Sequence, residues 1–295
     1  MSEGPTTDSK FAEARDSLQQ TLGKLRGCSD RERKEMQREF SQLNEMLSKL
    51  DKGQVEIVVF GEISTGKSAL INALIGEAVA DVDVQGGWTR DVQSSEWKTC
   101  AYRVPGLNDS GVLLVDTPGI NEVEGQQRAS LAEEAARRAD LILFVTDSDL
   151  NEIEHDALKH LASLKKPLLI VLNKKDLYSE DQRNRLLEVL THERLPGLLP
   201  TDHVVLTSAD PREVEYIIED SEGKTRREWR RPQPDVQELK EKILEILDRD
   251  GLALVALNAA MYAADQTDRI AALRIELRNH LANRVIGGYA AVKAL

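Results

Sequence analysis

The feature that most constrains this chain is a glycine-rich loop between a strand-like stretch and a helix-like stretch. The apolar run 55–60 predicts a buried parallel strand. Directly after it, Gly61–Ser68 reads GEISTGKS and matches the pattern G-x-x-x-x-G-K-[ST]. Its two fixed glycines allow a tight backbone turn, so that N–H groups surround the phosphates of a nucleotide. The loop therefore predicts binding of a nucleoside triphosphate.

The side chains of this loop have separate predicted roles. We expect Lys67 to reach the terminal phosphates as a point charge and to support phosphoryl transfer, and Ser68 to give its hydroxyl to Mg²⁺. The positions expected to contact the nucleotide are Glu62, Ile63, Ser64, Thr65, Gly66, Lys67, Ser68 and Ala69.

Three further motifs follow, each after a stretch that predicts a strand. Residues 116–119 read DTPG, in which Asp116 can hold Mg²⁺ through water and Gly119 lets a backbone N–H approach the γ-phosphate. Residues 173–176 read NKKD, and the carboxylate of Asp176 can accept from a donor pair that guanine has and adenine lacks. This excludes an ATPase. The candidates for guanine contacts are Asn173, Lys174, Asp176, and the backbone N–H groups of Ser208 and Ala209.

Together, GEISTGKS, DTPG, NKKD and the TSA of residues 207–209 resemble the translation-factor-like class of GTPases, the Ras-fold GTP-binding domains. The likeness covers about residues 54–247, and the extended loop is most similar to the Era, TrmE-like and dynamin-like branches. It implies an α/β fold: a mostly parallel six-stranded sheet with one antiparallel edge strand, helices on both faces, and flanking N- and C-terminal helices.

The resemblance also implies GTP hydrolysis with Mg²⁺ held by Ser68, Asp116 and a switch threonine. That threonine should be Thr89, although Thr99 and Thr117 are close in sequence. Lys67, Thr89 and Gly119 are accordingly the candidate catalytic positions.

One departure from the Ras-like pattern follows DTPG. Ras-like proteins place a water-orienting glutamine there, whereas this chain has Ile120, which cannot orient water by hydrogen bonding. We therefore expect slow intrinsic hydrolysis. Glu122, Glu124, Gln126 and Gln127 follow closely, but the sequence does not show that any of them reaches the water.

A monovalent cation is a further expectation from the Era- and TrmE-like relatives. In them, a residue three places after the first loop glycine helps hold K⁺ or Na⁺ against the phosphates. That position is Ser64 here, as in dynamin-like proteins, and not the asparagine typical of the K⁺-dependent group. Such activation would be coupled to homodimerisation across the nucleotide face.

We expect four segments along the chain: a disordered N-terminus over 1–8, a helical pair over 9–52, a GTP-binding domain over 53–249 and a C-terminal helical segment over 250–295. A β-hairpin is expected within 213–231. The second helix carries a coiled-coil-like seam, which packs either on its own domain or on a partner. The seam consists of Met36, Phe40, Leu43, Leu47 and Leu50.

Composition limits the function classes. The formal net charge of −12 argues against broad nucleic-acid binding, which needs a basic surface. Cys28 and Cys100 form no metal-ligand spacing, and no stretch has signal-peptide or membrane-spanning character, so we expect a cytoplasmic protein.

The leading hypothesis is a regulatory GTPase that binds GTP and GDP, with nucleotide-dependent packing or pairing of its flanking helices. The alternative is a membrane-associated dynamin-like scaffold, in which assembly matters more than turnover. The acidic charge weakens a third hypothesis, a ribosome-assembly factor like Era. Residues 284–295 turn apolar, which favours a continuation toward a membrane surface over docking on the chain's own helices.

Overall fold

The computed structural model of the chain describes residues 7–26, 29, 32, 34, 36–80, 93–103, 110–120, 125–219 and 225–293. The chain divides into two compact units. The α/β unit comprises residues 55–106 and 110–251, and the helical unit comprises residues 1–54, 107–109 and 252–295.

A six-stranded sheet forms the centre of the α/β unit, in the order β2-β3-β1-β4-β5-β6. Its strands are β1 Val55–Gly61, β2 Gln93–Glu96, β3 Val112–Asp116, β4 Leu141–Thr146, β5 Leu168–Leu172 and β6 Val204–Leu206. Only β2, at one edge, pairs antiparallel to its neighbour; the other pairs are parallel. The predicted sheet, with its antiparallel edge strand, is therefore confirmed.

The central strands are apolar on both sides because both faces of the sheet are covered. Every residue of β4 and β5 is buried, and alternate side chains of a strand point to opposite faces. On one face, Phe144 and Ile170 pack in a cluster with Ala136, Leu158 and Leu161. Parallel strands in this setting bring their carboxyl ends to one edge of the sheet.

The helices, numbered along the chain, are α1 Thr7–Arg26, α2 Gln37–Lys52, α3 Lys67–Ile75, α4 Gly125–Arg138, α5 Glu152–Ser163, α6 Glu180–Val189 and α7 Gln237–Lys293. Helix α5 begins with a capping box, in which Asn151 and Glu154 each satisfy a backbone donor of the other. Ser179 and Gln182 do the same for α6.

The edge strand lies earlier than the sequence predicted. The sequence of residues 95–102 predicts a strand, with Lys98 favouring an edge position, but β2 ends at Glu96. After Glu96, β2 and β3 share one more backbone hydrogen bond, from the Trp97 N–H to Val112 O at 2.8 Å. The N–H of Cys100 then donates to Trp97 O, which closes a turn. This turn removes Lys98 from the sheet.

The helical unit contains α1, α2 and the part of α7 from residue 252 on. Helix α1 begins at Thr7, two residues before the predicted start. The hydroxyl oxygen of Thr21, on α1, lies 3.0 Å from the hydroxyl oxygen of Thr267, on α7. Along the predicted seam of α2, Met36, Leu43 and Leu50 are fully buried. Phe40 and Leu47 are half-buried.

Helix α7 is one continuous element, whereas the sequence predicted a boundary near Gly251. A single glycine costs only about 1 kcal/mol in a helix, so packing decides the outcome. At Gly251 a Cβ atom would lie 2.6 Å from the Tyr102 hydroxyl oxygen. The glycine therefore permits close packing and does not mark a helix end.

The segment between β6 and α7 forms a two-stranded antiparallel sheet, β7 Val214–Glu219 and β8 Thr225–Arg230. Asp235, two residues before α7, pairs with Lys175 at 2.6 Å. No helix among the described residues is long and apolar enough to cross a membrane.

Candidate nucleotide-binding site

The four sequence motifs lie at one edge of the sheet. The glycine loop follows β1, Asp116 ends β3, the NKKD stretch follows β5, and residues 207–209 follow β6. Because these strands are parallel, their carboxyl ends meet, as in other open α/β sheets that bind ligands.

The glycine loop has a backbone that few residues other than glycine adopt. Gly61 and Gly66 have φ of 154° and 90°, and Ser64 has φ of 65°. At Gly61 a Cβ atom would meet the carbonyl of Val145 on β4 and the hydroxyl of Thr65. Helix α3 begins immediately after the loop, so the N–H groups of its first turn face an incoming anion.

Lys67 lies along the inside of this loop. Its ammonium donates to Gly61 O at 3.1 Å and to Glu62 O at 2.7 Å, and the residue is only 8% exposed. Thr65 also donates its hydroxyl to Glu62 O, at 3.0 Å. The loop is thus shaped by its own side chains, with the lysine charge where phosphates would lie.

Asp116 and Ser68 form the candidate metal site. Ser68 Oγ donates to Asp116 Oδ2 at 2.6 Å, and Asp116 Oδ1 is buried without a partner among the described residues. Burial raises the pKa of the Asp116 carboxyl, while Ser68 and Lys67 oppose that rise. A hydroxyl beside an unsatisfied carboxylate oxygen fits Mg²⁺, which prefers oxygen ligands and keeps several waters.

Asn173 connects three loops. Its Nδ2 donates to Thr65 O at 2.9 Å, and its Oδ1 accepts from Thr207 Oγ1 and from Ala209 N–H. Because the Nδ2 group has a second N–H, these bonds hold the loops together and the nucleotide contact of Asn173 stays a prediction.

Asp176 has an exposed carboxylate at the NKKD loop, where the sequence placed the guanine acceptor. Ser208 Oγ donates to one of its oxygens, and the N–H of Arg212 donates to the other at 3.2 Å. Lys174 donates to Ser64 O at 2.5 Å and to Asp147 Oδ2 at 2.7 Å, so it links the NKKD loop to the glycine loop.

The predicted backbone donors to guanine have partners inside the protein. The N–H of Ser208 donates to Asp235 O at 2.9 Å, and that of Ala209 donates to Asn173 Oδ1 at 3.1 Å. Their role as donors to the guanine carbonyl stays a prediction. The sequence offered no sign of the bridge between Ser208 and Asp235, which are far apart along the chain.

The switch threonine Thr89 lies outside the described residues, as do Glu122 and Glu124. Both alternatives to it are already engaged: Thr117 Oγ1 donates to Val59 O at 2.7 Å, and Thr99 Oγ1 accepts from the Trp97 indole.

Gly119 lies directly against the glycine loop. At Gly119 a Cβ atom would approach Ile63 Cγ1 to 2.7 Å. Any side chain here would therefore separate the DTPG segment from the glycine loop. Next to it, Ile120 packs against the hydrophobic core and donates its N–H to Gly61 O at 3.3 Å.

Sequence reasoning missed the connection between β4 and α5. Asp147 pairs with Lys174, and Asn151 Nδ2 donates to Glu62 Oε1 at 2.9 Å. The only local signal was the capping-box pattern Asn151–Glu154, which predicts a helix start and not a contact with the glycine loop.

The strand order, the glycine loop after β1 and Asp116 at the end of β3 together give the α/β unit the fold of a P-loop GTPase domain, the class that the motifs predicted. Residues 56–174 match the family described as 50S ribosome-binding GTPase.

Known proteins of two kinds are similar to this domain. The probable transmembrane GTPase FZO-like, chloroplastic, of Arabidopsis thaliana is 31% identical over 194 residues, which is 59% of this chain and 21% of that protein. GTPase Era of Rickettsia bellii is 32% identical over 131 residues, or 43% of this chain and 42% of that protein. The chain thus spans less than half the length of either relative.

Among solved structures, an Era variant of Aquifex aeolicus bound to GDP·AlF₄⁻ aligns with a TM-score of 0.45 at 26% identity. The alignment covers 53% of this chain and 51% of that chain.

Proposed function

We propose that this chain is a guanine-nucleotide switch. It binds GTP with Mg²⁺, hydrolyses the GTP slowly, and changes the conformation and association of its flanking helices between the GTP and GDP forms. The observation that carries the proposal is the Asp116 carboxylate, which is 3% exposed, bonded to Ser68 on one oxygen and unpartnered on the other within the described part of the chain.

Ser68 and Asp116 would hold the metal, with Thr89 as the proposed third protein ligand. When bound there, Mg²⁺ neutralises charge on the phosphate oxygens during transfer. Lys67 would release its two loop carbonyls and donate to the phosphates instead. Gly119 would bring its backbone N–H to the γ-phosphate.

Slow turnover is supported by the position of Ile120. Its side chain packs against the core and carries no hydrogen-bonding group, so it cannot orient the attacking water. A backbone group, another side chain of this chain or a group from a partner would have to orient the water, and a cation held near Ser64 would add positive charge against the phosphates. Turnover that is the same in K⁺, Na⁺ and a large organic cation at constant ionic strength would exclude the cation.

Asp176 provides the sharpest test of guanine binding. Asp176→Asn removes a charged double acceptor, so GTP affinity should fall by roughly 2–4 kcal/mol and preference should move toward XTP. Calorimetric titrations with GTP, ATP and XTP measure this. Asp156→Asn, at an exposed ion pair on α5, is the matched control and should bind like the wild type. Wild-type protein that binds ATP as well as GTP would overturn the proposal.

A membrane-associated scaffold, in which GTP-driven assembly matters more than turnover, is the second candidate. The similarity to a protein named as a transmembrane GTPase extends over 194 residues, well beyond the 119 of the matched family segment 56–174. Sedimentation with GDP and with GDP plus AlF₄⁻, in the presence and absence of anionic lipid vesicles, distinguishes the candidates. Pelleting that needs both vesicles and the transition-state mimic favours the scaffold, whereas a lipid-independent change in association favours the switch.

A further inference from the structure

Asn151 lies outside the four nucleotide-binding motifs and still contacts the glycine loop. It precedes α5, on the connection from β4, and its Nδ2 donates to Glu62 Oε1 at 2.9 Å. Glu62 is the second residue of the glycine loop, and its carbonyl accepts from Lys67 and Thr65. One side-chain bond therefore joins a helix start to the turn that carries the phosphate-binding lysine.

The orientation of the Asn151 amide is fixed by the capping box. Asn151 Oδ1 accepts from the N–H of Glu154 at 3.0 Å, and a backbone N–H can only donate. The amide nitrogen must then face Glu62. In return, the N–H of Asn151 donates to Glu154 Oε2 at 3.1 Å, which holds the whole connection in place.

The Glu62 carboxylate lies between two sources of negative charge. It belongs to the loop that would bind the phosphates of a nucleotide, which carry several negative charges. On the protein side, Glu154 is 3% exposed, and burial first, and then the charges of Glu62 and Asp147, raise the pKa of its carboxyl. The bond from Asn151 offsets the repulsion between Glu62 and these groups.

We propose that Asn151 is a positioning residue for nucleotide binding, which holds the Glu62 carboxylate at the N-terminus of α5 and away from the nucleotide phosphates. The N-terminal end of a helix stabilises a nearby negative charge, so the start of α5 is a favourable place for the Glu62 carboxylate. This inference rests on the proposed guanine-nucleotide binding and deepens it, because it adds a residue outside the motifs that controls affinity for the phosphates.

Asn151→Asp is the first test. Aspartate caps a helix as well as asparagine does, so α5 should keep its start, but its carboxylate repels that of Glu62. We expect GTP affinity to fall about tenfold, GDP affinity to fall less, and guanosine affinity to stay the same, because the loss scales with phosphate charge. Adding Glu62→Gln should restore GTP affinity, since the new glutamine amide can donate to the new aspartate.

Asn151→Ala provides a second, independent cycle. In the wild-type background it should weaken GTP more than GDP, and in the Glu62→Gln background this difference should disappear because no carboxylate is left to repel the phosphates. Asn184→Asp, on the exposed surface of α6, is the control for one added charge and should bind like the wild type. Fluorescence titration at low and high salt, with melting temperatures for each variant, gives the required readouts.

The outcomes separate the two hypotheses. If the wild type fails to bind GTP, the proposed function is wrong. If the wild type binds GTP but both Asn151 variants lose GTP, GDP and guanosine equally, or lose none of them, the positioning role is wrong. Failure of Glu62→Gln to remove the phosphate-dependent loss would also overturn it.

Discussion

The ammonium of Lys67 is the positive charge that the glycine loop would offer to the phosphates. It donates hydrogen bonds to two carbonyls of that loop. Lys67→Ala should abolish productive Mg²⁺–GTP binding and turnover, while the melting temperature changes little, because both contacts shape only the loop. Ser68→Asn should do the same by removing the metal hydroxyl. Lys159→Ala, at a surface ion pair on α5, is the control. GTPase rates with calorimetry measure the effect, and unchanged turnover in either loop variant would contradict the site assignment.

Glu154 makes stability depend on pH. Burial first, and then the charges of Glu62 and Asp147, raise its pKa, while bonds from Asn151 and Thr146 oppose the rise. A carboxyl whose pKa is higher in the folded state stabilises the fold at pH values below its unfolded pKa, and this contribution is lost as pH rises through the folded pKa.

Glu154→Gln should therefore be more stable than the wild type at pH 7, because it keeps an acceptor for the Asn151 N–H without the buried charge. The advantage should shrink as the pH falls toward 4.5, the ordinary value for glutamate. Denaturant unfolding of both proteins at several pH values measures the difference. A constant difference from pH 4 to pH 8 would show that charge is not the cause.

At the scale of elements, two helical glycines have opposite surroundings. Gly23 in α1 is exposed, and outside its own helical backbone no atom of the described residues lies within 4 Å of a Cβ position there. Gly251 in α7 lies against the buried ring of Tyr102. The same substitution should therefore act in opposite directions.

Gly23→Ala should stabilise the protein by about 0.5–1 kcal/mol through helix propensity and a less flexible unfolded chain. Gly251→Ala gains the same propensity but overpacks Tyr102, so we expect a net loss of about 1–2 kcal/mol. Thermal and denaturant unfolding compare the two variants directly. A stabilised Gly251→Ala would mean that Tyr102 moves aside at little cost.

At the scale of the whole molecule, the nucleotide loops all belong to the α/β unit. GDP with Mg²⁺ at 100 times its Kd should raise that unit's unfolding free energy by about 2.7 kcal/mol. Hydrogen exchange should slow at β1, β3, β5 and the loops that follow them. ADP at the same concentration is the control, and equal protection by ADP and GDP would contradict guanine selectivity.

The sequence alone determined the nucleotide chemistry and the sheet of this protein, because both are encoded by short segments. The glycine spacing of residues 61–68 requires backbone angles that mainly glycine adopts, and continuous apolar runs such as 168–172 require a strand covered on both faces. The order of motifs along the chain then placed them at one edge, since parallel strands end together.

Only the tertiary structure decided which polar groups hold the nucleotide-binding loops to one another. Asn173 and Ser208 belong to recognisable motifs, yet their hydrogen bonds go to Thr65 and Asp235. Asn151 belongs to none of the nucleotide-binding motifs and reaches Glu62 from 89 residues away. Such contacts depend on how loops that are distant in sequence meet after folding. Sequence patterns indicate only the local backbone conformation and the spacing at which residues of a helix or strand are buried. A capping box or a lone glycine looks the same in sequence whether or not another element packs against it.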